Sequence, residues 1–64
     1  MDTIEIIESR TSLLTVEELG EYTSISPKTL YRYIKNRKLP AIRIHGNIRL
    51  NPHTTAEWLR SRQG

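Results

Sequence analysis

The sequence predicts a mainly α fold with one small β-hairpin. Three features predict it: polar caps mark three helix starts, the first two predicted helices are separated by only a few residues, and a strict apolar–polar alternation lies between the second and the third. The chain has 64 residues, 36% of them hydrophobic, with one Trp, three Tyr and no Phe, which is material for a thin core shared by short elements. A chain this short buries only about 60% of the surface its unfolded form exposes. That leaves little room for an enclosed substrate pocket.

Residues 1–12 carry weak signals. Ile4, Ile6 and Ile7 fit neither the helical nor the strand period, so this stretch is expected to be a flexible acidic lead-in to a domain over 13–62. Thr15 followed by Glu18 is a capping box, with Leu14 and Leu19 placed to staple the helix entry. Val16, Leu19, Tyr22 and Thr23 line one face of that helix. Gly20 inside it costs about 1 kcal/mol against Ala, a loss that close approach of another helix would explain. Ser26 and Pro27 suit the N-cap and first position of the next helix, which is expected over 27–37. Leu30, Ile34, Tyr33 and the stem of Arg37 are assigned inward, and Lys28, Thr29, Tyr31, Arg32 and Lys35 outward. Two capped helices joined so closely read as a helix-turn-helix.

Leu39-Pro40 ends the helical region. Ile42, Ile44, Ile48 and Leu50 then alternate with Arg43, His45, Asn47 and Arg49, the pattern of a half-buried hairpin over 41–50. Placing all four apolar residues on one face requires a three-residue loop, His45-Gly46-Asn47, which pairs Ile44 with Ile48 and Ile42 with Leu50. That register sets Arg43 opposite Arg49, an unfavourable pairing that becomes useful with a phosphate between the two guanidiniums. Asn51 and Pro52 start a last helix reaching Arg62, with Trp58 and Leu59 inward and Arg60 and Arg62 near its C-terminal end.

Charge is polarised. Residues 1–24 hold six acids and one base, whereas residues 25–64 hold nine bases and one acid. A basic half suggests a polyanionic partner. There is no Cys, hence no disulfide or thiolate metal site, and no apolar run has the length of a membrane span. His45 and His53 have no acid at metal spacing, and the serines have no evident His and Asp partners. Neither catalysis nor a metal or other cofactor is expected.

The chain resembles the excisionase-type branch of the MerR-like winged helix-turn-helix domains. The resemblance is carried by Leu14-Thr15-Val16-Glu17-Glu18, by Ser26-Pro27-Lys28-Thr29-Leu30-Tyr31-Arg32-Tyr33-Ile34, by Lys38-Leu39-Pro40-Ala41, by Arg43-Ile44-His45-Gly46-Asn47-Ile48-Arg49-Leu50 and by Glu57-Trp58-Leu59. It implies a recognition helix at 27–37, a wing at 41–50, and a role in excisive recombination or transcription control in the cytoplasm of a bacterial or phage-infected cell. It also implies double-stranded DNA as partner, with a recombinase or neighbouring copies on the same DNA. Ser24 departs from the family, which usually has Gly there in the turn, so a left-handed backbone at Ser24 would be strained. Thr54-Thr55 replaces a more apolar start to the last helix.

Within this resemblance, Lys28, Thr29, Tyr31, Arg32 and Lys35 are the expected contacts of the recognition helix, with Arg32 as base reader. Arg43, His45, Asn47 and Arg49 are the expected contacts of the wing, on backbone or minor groove. Arg37 and Lys38 add phosphate attraction. Two other readings compete. In one, the chain is a protein-interaction module docking through Ile4, Ile6 and Ile7. In the other, it is the DNA-binding domain of a phage packaging subunit.

Overall fold

Asp2 opens the first helix. Its carboxylate accepts the Glu5 N–H at 2.8 Å while Glu5 reaches back to the Asp2 N–H, a reciprocal capping box. The structure, a computed structural model, describes residues 2–63, with side chains through Arg62. The elements in chain order are α1 (Thr3–Glu8), α2 (Val16–Thr23), α3 (Pro27–Lys35), β1 (Ile42–Ile44), β2 (Asn47–Arg49) and α4 (Pro52–Gln63). This is a winged helix-turn-helix architecture preceded by one extra short helix.

That extra helix corrects the expectation of a flexible lead-in. Ile4 and Ile7, three apart, are both buried, while Ile6 stays 38% exposed. A six-residue helix is marginal alone. Here it is fastened to α4, where the Arg60 guanidinium donates to both Glu8 carboxylate oxygens at 2.7 and 2.8 Å.

Ile7, Leu14, Val16, Leu19, Leu30, Leu39 and Leu50 form the central cluster, each essentially inaccessible. Burial of each such side chain contributes about 1.5–3 kcal/mol. The Thr15–Glu18 capping box is present, and Leu14 and Leu19 beside it are both buried. Leu14 and Leu50 exchange two backbone hydrogen bonds of 2.8 Å, tying the base of the hairpin to the chain entering α2.

α3 ends earlier than expected. The Arg37 N–H donates to the Ile34 carbonyl and the Lys38 N–H to the Tyr33 carbonyl, with Arg37 left-handed at φ 59°. This is a Schellman closure, and it needs a residue outside the helix at that point. Arg37 is therefore exposed past the end of the helix rather than inward along it.

The hairpin register also differs from expectation. Ile42 pairs with Arg49, Arg43 with Ile48 and Ile44 with Asn47, which leaves His45-Gly46 as the turn. Both turn residues have positive φ, 49° and 81°. Such a type I′ turn matches the twist of the flanking strands better than a longer loop. Opposed residues share a face, so Ile42, Ile44, Asn47 and Arg49 lie on one side and Arg43 and Ile48 on the other. Arg43 and Arg49 do not face each other, so the register does not set them to clamp one phosphate between them.

Candidate nucleic-acid interface

The turn between α2 and α3 sets the angle at which α3 is presented. α2 closes at Ser24, left-handed at φ 62°, whose N–H donates to the Gly20 carbonyl at 2.8 Å. Gly20 is buried, and a Cβ there would stand 2.9 Å from the Ile25 carbonyl oxygen. The chain approaching Gly20 is thus the Ile25 carbonyl and, at 3.6 Å, the Pro27 ring that opens α3. Ser26 caps α3, its hydroxyl accepting the Thr29 N–H at 3.3 Å and donating to the Thr29 hydroxyl at 3.0 Å.

Along α3, Lys28, Tyr31, Arg32 and Lys35 are exposed, while Leu30 is buried and Thr29, Tyr33 and Ile34 are half-buried. Positions 28, 31, 32 and 35 recur at helical spacing and form one outward stripe. Thr29 lies off the stripe, with its hydroxyl drawn into the cap. Tyr31 donates its hydroxyl hydrogen to Glu17 on α2 at 3.3 Å. Desolvation first, then the Glu17 charge and hydrogen bond, push the Tyr31 phenol above its usual pKa, and Arg49 opposes the shift. Arg49 on the hairpin is thus within electrostatic reach of the stripe.

Behind α3, Tyr33 meets Trp58 with ring centroids 5.9 Å apart, and the Arg62 guanidinium lies about 5 Å from both rings. The Trp58 indole N–H donates to the Lys38 carbonyl at 2.7 Å, holding the exit of α3 against α4. Sequence reading assigned Trp58 to the core. Its hydrogen bond to a residue 20 positions earlier carries no local signal.

Three of the acids are occupied elsewhere. Glu8 engages Arg60 and His53, Glu57 engages His53, and Glu18 engages Arg10. Among the described residues, Lys28, Arg32, Lys35, Arg37, Lys38, Arg43 and Arg49 make no ion pair within 4.0 Å. No acid occurs in the sequence between Glu21 and Glu57. In the hairpin, Arg43 and His45 are exposed, Asn47 is exposed at the start of β2, and the half-buried Arg49 donates to the Ile48 carbonyl at 2.9 Å.

Comparison with known proteins agrees with a helix-turn-helix fold. Residues 13–63 match the sequence model of a family described as "Helix-turn-helix domain". The chain is also similar to two Mycobacterium tuberculosis proteins, "Putative DNA-binding protein MT0521" of strain CDC 1551 / Oshkosh and "Putative DNA-binding protein Rv0500A" of strain ATCC 25618 / H37Rv. Each is 32% identical over 56 residues, covering 88% of this chain and 72% of the relative. No solved structure matches the chain. No helix among the described residues is long and apolar enough to cross a membrane.

Proposed function

The chain belongs to the helix-turn-helix domain family, and from that premise we propose that it binds double-stranded DNA sequence-specifically, as an excisionase-like recombination directionality factor or a small transcriptional regulator. The observation carrying this reading is the outward stripe Lys28, Tyr31, Arg32 and Lys35 on a capped helix, within a stretch of chain that has no acid. α3 enters the major groove, where Arg32 offers two parallel donors to guanine O6 and N7 and Lys28 reaches a base or phosphate. Thr29, near the helix start, lies next to the backbone, and Lys35 neutralises phosphate. Tyr31, bonded to Glu17, acts through its ring. On the wing, Arg43 and Arg49 point to opposite sides and so meet separate phosphates, with His45 and Asn47 at the tip.

Selection of bound sites from a random duplex pool, followed by titration at several salt concentrations, tests the proposal. Neutralising about five phosphates gives a slope of log affinity against log salt of about −4 to −5. Arg32→Glu and Arg43→Glu should abolish binding while leaving the fold intact. A flat salt response would refute the reading.

A further inference from the structure

Ile42 and Ile44 are large apolar side chains left 39% and 40% exposed on the same face of the wing. Their exposure follows from the register. With His45-Gly46 as the turn, Ile48 and Leu50 take the core side and the two isoleucines of β1 are turned away from it. Asn47 and Arg49 share their face, and a shallow depression runs from Ile44 past His45, Asn47 and Arg49 to Leu13. The face is thus apolar at its centre and basic or polar at its rim. Arg49 on this face lies within electrostatic reach of Tyr31 on the outward stripe of α3.

We infer that Ile42 and Ile44 form an apolar wedge that enters the minor groove and opens a base step, so that the protein kinks the duplex it binds. The inference rests on the DNA-binding reading above. The rim settles which partner fits. A protein surface covering Ile42 and Ile44 would also have to supply an acid to Arg49, which makes no ion pair within 4.0 Å, whereas a minor groove offers apolar sugar walls between two rows of phosphates. Apolar side chains introduced there part the stacked bases and kink the helix by about 20–90°. The Arg49 guanidinium on the same face holds a flanking phosphate.

The test uses a duplex carrying the site that the wild-type chain selects from a random pool, labelled at both ends so that energy transfer reports bending. The wild-type chain should bend this duplex by tens of degrees. Ile42→Ala/Ile44→Ala should bind at least about tenfold more weakly, with an unchanged salt slope and a nearly straight duplex. Ile44→Lys separates the wedge from mere proximity to phosphate: a wedge predicts weaker binding and less bending, and proximity predicts tighter binding and a steeper slope. Circular dichroism checks that both variants fold. If the wild-type chain binds no duplex, the DNA reading and the wedge fall together. If it binds but the alanine variant binds and bends equally well, only the wedge falls. A wild-type dimer in sedimentation that the alanine variant loses would assign the face to a second copy and overturn the wedge.

Discussion

Gly20→Ala tests whether the helix-turn-helix angle is set by one close backbone contact. In an unconstrained helix interior, Ala is favoured over Gly by about 1 kcal/mol. Here the added methyl would stand 2.9 Å from the Ile25 carbonyl oxygen and 3.6 Å from Cδ and Cγ of Pro27, so the contact with oxygen falls about half an ångström short of the ordinary 3.4 Å. The carbonyl has little freedom to retreat. The Ile25 N–H is held by the Thr23 hydroxyl at 3.3 Å, and Ser26 and Pro27 immediately begin α3. Overpacking of this kind costs about 1–3 kcal/mol, which outweighs the propensity gain and leaves a net loss of about 1 kcal/mol. For a domain of this size that lowers Tm by about 4–8 °C. Thermal unfolding followed at the helical circular-dichroism band measures it. Because relief requires α3 to move against α2, affinity for a selected duplex should also fall while the salt slope stays constant. A variant more stable than the wild-type chain would refute the argument, since propensity alone would then govern the position.

Three further outcomes follow from local chemistry. Ser24→Gly should raise stability by about 0.5–1 kcal/mol: a left-handed non-glycine residue costs about 1–2 kcal/mol, part of which the extra freedom of Gly in the unfolded chain cancels, and a lower denaturation midpoint would contradict it. Thr55→Val should stabilise by about 1 kcal/mol in urea unfolding, because the Thr55 hydroxyl is buried without a protein partner and an unmet polar group costs about 1–3 kcal/mol. Glu8 is held below the usual carboxylate range chiefly by hydrogen bonding to Arg60, and Glu18 chiefly by the Thr15 N–H and then Arg10. A folded pKa below the unfolded one gives stabilisation that is present above the ordinary value of 4.5 and lost as pH falls through the folded value. Tm should therefore drop in acid, and the gap between wild type and Glu8→Gln should be wide at about pH 7 and narrow as pH falls below the ordinary value of 4.5. A gap independent of pH would remove the Glu8–Arg60 pair from the account.

The parts of the fold readable in advance are those whose cause is local. Thr15 with Glu18, Ser26 with Pro27 and Asn51 with Pro52 mark helix starts through groups three residues apart or fewer, and all three helices begin there. The exposed stripe on α3 was readable for the same reason, since helical spacing fixes which residues share a face. α1 carried the same kind of signal in Asp2 and Glu5, but Ile4, Ile6 and Ile7 obscured its period, and the pair that secures it joins residues 52 apart. The wing register was hidden because alternation fixes parity within each strand and not between strands. Only the loop length decides whether the two apolar sets share a face, and His45 at φ 49° is a turn residue that composition does not announce. Arg37 at the close of α3 is hidden in the same way, standing where Gly is usual. The bond from Tyr31 to Glu17 joins two elements and has no signature in either.

The polarity of charge along the sequence becomes a polarity in space, and Glu17 is where the separation is incomplete. Tyr33, on the inward face of α3, meets Trp58 of α4, so α4 and the α1 fastened to it lie behind the outward stripe. Phosphates docked on the stripe would lie on the side of α3 away from the Tyr33–Trp58 contact with α4, and charges beyond a screening length of about 8 Å at physiological ionic strength act on them weakly. Glu17 instead accepts from Tyr31, a member of the stripe, at 3.3 Å. One uncompensated carboxylate within about 8 Å of a phosphate opposes binding by about 0.5–2 kcal/mol, depending on the effective dielectric. Glu17→Gln retains an acceptor for the Tyr31 hydroxyl and removes the charge, so it should tighten duplex binding about two- to thirtyfold at low salt, with less gain as salt rises. Glu57→Gln, behind α3, should change affinity little. Equal gains from the two variants would mean that the acids of α4 are as near the phosphates as Glu17 is, and that α3 does not present its outward stripe to DNA.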